Sequence, residues 1–200
     1  MKKPIINIEK EINKPINLEN KVFDYQFNKI IIDCNNVEEF NGCIFKDSEF
    51  INVDRVSLID CVVDHCIITN ADFSNSLFLR TEINNSKLVG LEVIESKLDN
   101  IMINECVMDY CNFNNSKIVD SKINNCQINQ LFINEASFKK FSISNSKIKY
   151  LELFKSNLNT LDISTSNIDE LLVDKDGLHG VICNQDQAIG LAKRLGIIIK

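Results

Sequence analysis

The chain has 200 residues, 44% hydrophobic and 25% charged, with a net charge of −6. That balance fits one folded domain rather than a disordered chain, and its sign excludes a protein that grips nucleic acid through phosphates. The start, Met1-Lys2-Lys3-Pro4 followed by Ile5, Ile6, Asn7 and Ile8, lacks an apolar block of signal-peptide length, and no stretch reaches membrane-span length, so the expected location is the cytoplasm.

Residues 1–35 follow no fixed period. Phe23, Phe27, Ile30, Ile31 and Ile32 predict strands or a short hairpin, and the segment is expected to form an N-terminal cap for the repetitive region 36–176. Phe40, Phe45 and Phe50 lie five apart but three residues out of phase with Val53. That shift predicts an irregular first coil, or a bulge near Ile51 to Arg55.

From Val53 a five-residue frame takes over. Val53, Leu58, Val63 and every fifth residue after them, to Ile163, Ile168 and Val173, are large and apolar. At 44% hydrophobic content such a run arises by chance about once in a billion trials. Helices repeat every 3.6 residues and strands every two, so the unit must turn a corner. A second lane, two residues earlier, is small and uncharged: Cys61, Cys66, Ala71, Ser76, Thr81, Ser86, Ser96, Cys106, Cys111 and onward. The other three lanes carry nearly all the Asn, Asp, Glu, Lys and Arg. Two inward and three outward positions per five residues describe a four-sided coil, and Asn in the lanes after the large residue suits its corners. Seven small-lane positions are large instead: Leu91, Ile101, Leu131, Phe141, Leu151, Leu161 and Leu171. Their spacing puts them on two opposed sides, which dense packing turns into a rectangular cross-section.

Ala71-Asp72-Phe73-Ser74-Asn75, Cys111-Asn112-Phe113-Asn114-Asn115 and Ser156-Asn157-Leu158-Asn159-Thr160 resemble the pentapeptide-repeat motif: small, polar, Leu or Phe, polar, polar. The resemblance covers about two thirds of the chain without interruption. It implies an all-β fold, a right-handed quadrilateral β-helix of about four repeats per coil, with a short C-terminal capping helix. It implies little about activity. Leu158, Leu161 and Ile163 also have a leucine-rich-repeat flavour, but that family has longer, unequal units.

Five of the eight Cys, at 61, 66, 106, 111 and 126, fall in the small inward lane among Ser and Ala, where a thiol packs as a small hydrophobe. Zinc or a disulfide is the lesser alternative. His65 lies between Cys61 and Cys66 in sequence but in an outward lane, so the three do not converge.

The frame ends at Gly177, opening the C-terminal segment 177–200. Ala188, Leu191, Ala192 and Leu195 form one apolar helical face over 185–195, Lys193 and Arg194 favour its C-terminal dipole, and Gly196 stops it. Ile197, Ile198 and Ile199 extend beyond as an apolar tail. This ending is similar to that of the Qnr-type proteins that protect DNA gyrase. The resemblance implies that the helix caps the coil and the tail joins two subunits in a homodimer.

Both terminal segments are net positive, so residues 36–176 carry −9. Assigning repeats to sides puts acids on two opposed faces. One holds Asp72, Glu92, Glu95, Glu135 and Glu152 beside a column of Ile94, Phe132, Phe154 and Leu172. The other holds Asp64, Glu82, Glu105 and Asp162. The first is the candidate contact face for a protein with a basic surface. No catalytic constellation, phosphate loop, cofactor motif or metal-ligand set is legible, and His65 and His179 lie far apart. Two functions stand open: a non-enzymatic scaffold or interaction protein, and a DNA mimic that binds DNA gyrase and protects it from quinolones. The first contacts neither nucleic acid nor membrane.

Overall fold

A computed structural model describes residues 1–199 of the chain. It is a parallel β-solenoid of about eight turns closed by one C-terminal helix. Each turn has four sides; three are short strands centred on an inward residue, and in the earlier turns the fourth is held by isolated bridges. The first side stacks Val22, Phe40, Leu58, Phe78, Leu98, Ile118 and Phe138. The second stacks Phe27, Phe45, Val63, Ile83, Ile103, Ile123 and Ile143. The third stacks Ile32, Phe50, Ile68, Leu88, Met108, Ile128, Ile148 and Ile168. The fourth carries Phe73, Val93, Phe113, Ile133 and Leu153, fixed by amide bonds such as Phe73 N–H to the Glu92 carbonyl. Sides one and two join into a 13-stranded sheet through Lys117–Asn124 and Ser137–Ser144, and sides three and four into a 9-stranded sheet.

The five-residue frame is the burial frame. Every member of the large lane from Val53 to Ile163 is buried, and only Ile168 and Val173, at the end of the last coil, are partly exposed. The small lane is buried too and acts as a ladder. Ser76 N–H donates to Ser96 Oγ (3.1 Å), and Ser96 N–H to Ser116 Oγ (3.0 Å). Ser96 Oγ in turn donates to the Phe73 carbonyl (3.0 Å). Cys66 N–H finds Ser86 Oγ, and Cys126 N–H finds Ser146 Oγ. All eight thiols are free, and seven are buried. Burial pushes the thiols of Cys34 and Cys111 up to about 12, and that of Cys66 to about 11.

The corners are left-handed residues at five-residue spacing. Asn70, Asn75, Asn85, Asn100, Asn115 and Asn125 have φ between 50° and 59°, the region Asn tolerates best after Gly. Gly90 takes the same role with φ 63°. Gln130 and Tyr150 are not in that region, and there the strands Gln127–Phe132 and Lys147–Glu152 run on through the corner. These are the corners where Leu131 and Leu151 replace a small residue. All seven large members of the small lane are buried, on the second and fourth sides.

The N-terminal end differs from the expected layout. Strands Asn20–Phe23, Tyr25–Asn28 and Ile31–Asp33 lie within the segment expected to be a cap, yet they pair in parallel as coil, not as a hairpin. The early coils step by 18 residues, as in Phe27 to Phe45 to Val63, and the later ones by 20, as in Val63 to Ile83. The two missing residues belong to the fourth side. There Val37 N–H bonds back to the Cys34 carbonyl in a tight turn, and Asp54 bridges to Asp72 at an 18-residue step. This is why Phe40, Phe45 and Phe50 run out of phase with Val53. Lys10–Ile12 adds a further parallel strand to the second side, with Ile12 over Phe27, and residues 13–19 close the end, with Leu18 buried and Ile16 packed against the core. Residues 2–9 then lie along one corner as a strap. Glu9 N–H donates to the Asp24 carbonyl (2.8 Å), Ile5 N–H to Asp60 Oδ1 (2.9 Å) and Lys2 N–H to Asn100 Oδ1 (2.5 Å). Asp60 is buried and also grips Arg80 through Nε (2.6 Å) and Nη2 (2.5 Å).

Helix α1 (Gln185–Arg194) closes the other end. Asn184 and Gln187 form a reciprocal capping box at its start. The same side chains satisfy carbonyls of the last coil: Gln187 Nε2 donates to Ile163 and Ser166, Asn184 Nδ2 to Ser164. Anchored at this turn, the helix sends only Leu191 into the core. Ala192 is half-buried, and Ala188 and Leu195 are exposed.

Ile123 is buried between Ile103 and Ile143. Ile123→Asp places an unpaired charge there at a cost of about several kcal/mol and should abolish the cooperative thermal melt. An unchanged melting temperature contradicts the inward assignment of the lane.

Candidate interaction surface

The four-sided coil turns lanes into columns. On the fourth face Asp72, Glu92, Asn112, Phe132, Glu152 and Leu172 succeed one another in register. The neighbouring column holds Ile94, Asn134 and Phe154. Its spacing is set by side chains that bond the next coil's backbone, as when Asn134 Oδ1 accepts Phe154 N–H (2.7 Å). Glu95 and Glu135 stand at the adjoining corner, and Lys155 Nζ reaches Glu135 Oε1 at 3.1 Å. The expected acidic and apolar residues therefore share one surface. Glu92, Glu95 and Glu135 are exposed, whereas Ile94, Phe132, Phe154 and Leu172 are half-buried between them.

Two residues of this surface escaped the lane reading. Tyr110 is 55% exposed at the corner between the third and fourth faces. It lines a shallow groove with Asn70, Asp72, Gly90, Glu92 and Phe132. Because Gly90 lacks a side chain, the Asn70 amide lies against its Cα, where a Cβ would sit 2.6 Å from Asn70 Oδ1. Tyr150 sits two turns further along the same corner, its ring 5.8 Å from Phe132. Its hydroxyl donates to Glu152 Oε2 (2.5 Å), and Asn134 Nδ2 donates to Oε1 (2.7 Å). The bond to the Glu152 carboxylate raises the Tyr150 hydroxyl from its ordinary value of 10.0 to about 12. The signal for both tyrosines lay in their phase, since residues two beyond a large one occupy corners.

The second face carries an amide ladder instead, in which Asn124 Nδ2 donates to Asn104 Oδ1 (2.8 Å) and Ser144 Oγ to Asn124 Oδ1 (2.9 Å). Asp64 lies on it. Partial burial opposes its ionisation, but hydrogen bonds from Asn85 and His65 hold its carboxyl below the ordinary value. His65 Nδ1 is 3.0 Å from Asp64 Oδ1 on the outside, while Cys61 and Cys66 are buried inside, so the three do not form a ligand set. At the C-terminal end, Leu195, Ile197, Ile198 and Ile199 are exposed on the single chain.

Comparison with known proteins found no matching family model and no match among curated proteins. Among solved structures, a trypsin-treated form of QnrB1, a plasmid-mediated fluoroquinolone resistance protein, overlays with a TM-score of 0.53 at 21% identity, covering 98% of both chains. The chain has the pentapeptide-repeat solenoid fold. Full-length QnrB1 covers 88% of this chain and 99% of its own, at 15% identity and a TM-score of 0.41. HetL, a pentapeptide-repeat protein involved in heterocyst differentiation regulation in the cyanobacterium Nostoc, covers 82% and 90%, at 8% identity and 0.27. The solenoid expected from the five-residue frame is thus borne out. Among the described residues no helix is long and apolar enough to cross a membrane.

Because the Tyr150 hydroxyl is raised in the fold, its contact with Glu152 stabilises fully below about 10 and is lost as pH rises through about 12. Glu152→Gln should bring one tyrosine ionisation back toward 10.0 in an ultraviolet titration. An unshifted curve overturns the assignment.

Proposed function

We propose that this chain is a non-enzymatic, cytoplasmic interaction protein that presents its fourth face to a partner with a basic surface. The observation that carries this reading is the single column of Asp72, Glu92, Phe132 and Glu152 flanked by Tyr110 and Tyr150. Carboxylates on a negative rod steer a basic partner, and half-exposed aromatics supply contact area once it docks. The interior of the rod is packed with side chains. The exposed tail, Leu195 and Ile197 to Ile199, supports a homodimer joined end to end, because each isoleucine gains about 1.5–3 kcal/mol on full burial.

A second reading, protection of DNA gyrase from quinolones by DNA mimicry, is favoured by one observation, the end-to-end overlay with QnrB1. Against it stands the uninterrupted 20-residue register from Leu58 to Leu172, which leaves no loop for a partner-specific contact.

Capture from the native host with the wild type, Glu92→Lys and Phe132→Ala should lose the same partner in both variants. A partner kept by both removes the fourth face as the site. Supercoiling by purified gyrase with a quinolone should be unaffected by the protein, and restored supercoiling selects the second reading. Light scattering at low micromolar concentration should give twice the chain mass of 22.8 kDa for the wild type and the single mass for Ile198→Glu. A monomeric wild type makes the tail only a cap.

A further inference from the structure

The third face carries a pattern unrelated to the acidic column. Over its first five turns one outward column reads Ile31, Glu49, Ile67, Lys87, Val107, before it runs on through Gln127 and Lys147. Ile67 is 44% exposed, Ile31 52% and Val107 47%. These five turns form a charge palindrome about Ile67, with an apolar residue at either end, an apolar centre, and opposite charges one step either side. The parallel column reads Ile51, Thr69, Val89, again apolar either side of its centre. The adjoining corner places Lys29 two steps before His65 and Glu105 two steps after it. Among the described residues none of Lys29, Glu49, Lys87 and Glu105 makes an ion pair.

We propose that this face docks a second copy of the chain, packed antiparallel about a two-fold axis that passes at Ile67 along the strand direction. Such an axis keeps each column against itself and reverses its order. Ile67 then meets its own copy, and Ile31 meets Val107. Glu49 meets Lys87 twice, Lys29 meets Glu105 twice, and Ile51 meets Val89. One kind of like pair results, Asp33 with Asp109 at the rim, and it too forms twice. Asp33 already accepts from Asn52 Nδ2 (3.0 Å) and Asp109 from Asn129 Nδ2 (2.8 Å), so both remain solvated hydrogen-bond acceptors. A lone chain gains nothing from this symmetry, because its own Glu49 and Lys87 sit two turns apart. The four steps span about 19 Å, and a flat patch of that size falls below the roughly 800 Å² per partner of a standard interface, so the association is weak. It is separate from the tail contact and does not depend on it.

The test uses the full chain carrying Ile198→Glu, which removes the tail contact, in sedimentation equilibrium at high micromolar concentration and low salt. A dimer is expected. Glu49→Lys and Lys87→Glu should each weaken it about tenfold or more, since each turns two unlike pairs into like ones. An equimolar mixture of these two variants should dimerise again, because one surface is then all basic and the other all acidic at those positions. Ile67→Glu should abolish the dimer without moving the melting temperature. A monomer in the Ile198→Glu background overturns the proposal. So does a mixture of the two charge variants that associates no better than either alone.

Discussion

The rod depends on a hydrogen bond that no flat sheet needs. At the corners where a serine lies one coil on, the chain leaves its strand and the amide of the inward residue points along the axis. The hydroxyl one coil on accepts it, as from Ser76 to Ser96 to Ser116 and from Cys126 to Ser146 to Ser166. A buried amide left without a partner costs about 1–3 kcal/mol, and the penalty would recur at each of these corners. The lane is therefore small because the corner is crowded, and rich in Ser because the corner is polar. Ala136 has no hydroxyl of its own, yet its amide is received by Ser156.

That constraint explains what the sequence makes legible. A side chain that must point inward every five residues leaves a trace in every repeat, and Leu58 through Ile163 could be placed by counting. Residues 20–54 obey the same packing rule, but their fourth side is two residues shorter, which breaks the count without breaking the coil. A period-based reading sees disorder of phase there and mistakes coil for cap. The helix was readable from Ala188, Leu191, Ala192 and Leu195 as a stripe. Its anchoring was not, because polar Asn184 and Gln187 hold it to the last coil.

The surface is less legible than the core for a related reason. Inward residues answer to one shared requirement, whereas outward residues answer to whichever column they join. Tyr110 and Tyr150 look like scattered aromatics in one dimension and become neighbours of Phe132 only when 20 residues equal one turn. Ile31, Glu49, Ile67 and Lys87 mix 18- and 20-residue steps, so their alignment needs the register itself.

The N-terminal strap has a mechanical consequence. A solenoid touches only its nearest turns, so force or heat applied at an end peels it one turn at a time. Residues 2–9 are tied at Asp24, Asp60 and Asn100, a stretch of four steps, and the middle tie is the buried carboxylate that also clamps Arg80. The turns beneath this splint cannot be shed singly, because opening the first strains the fastenings of the third and fifth. The N-terminal half thus breaks as one block, and the far half frays by increments.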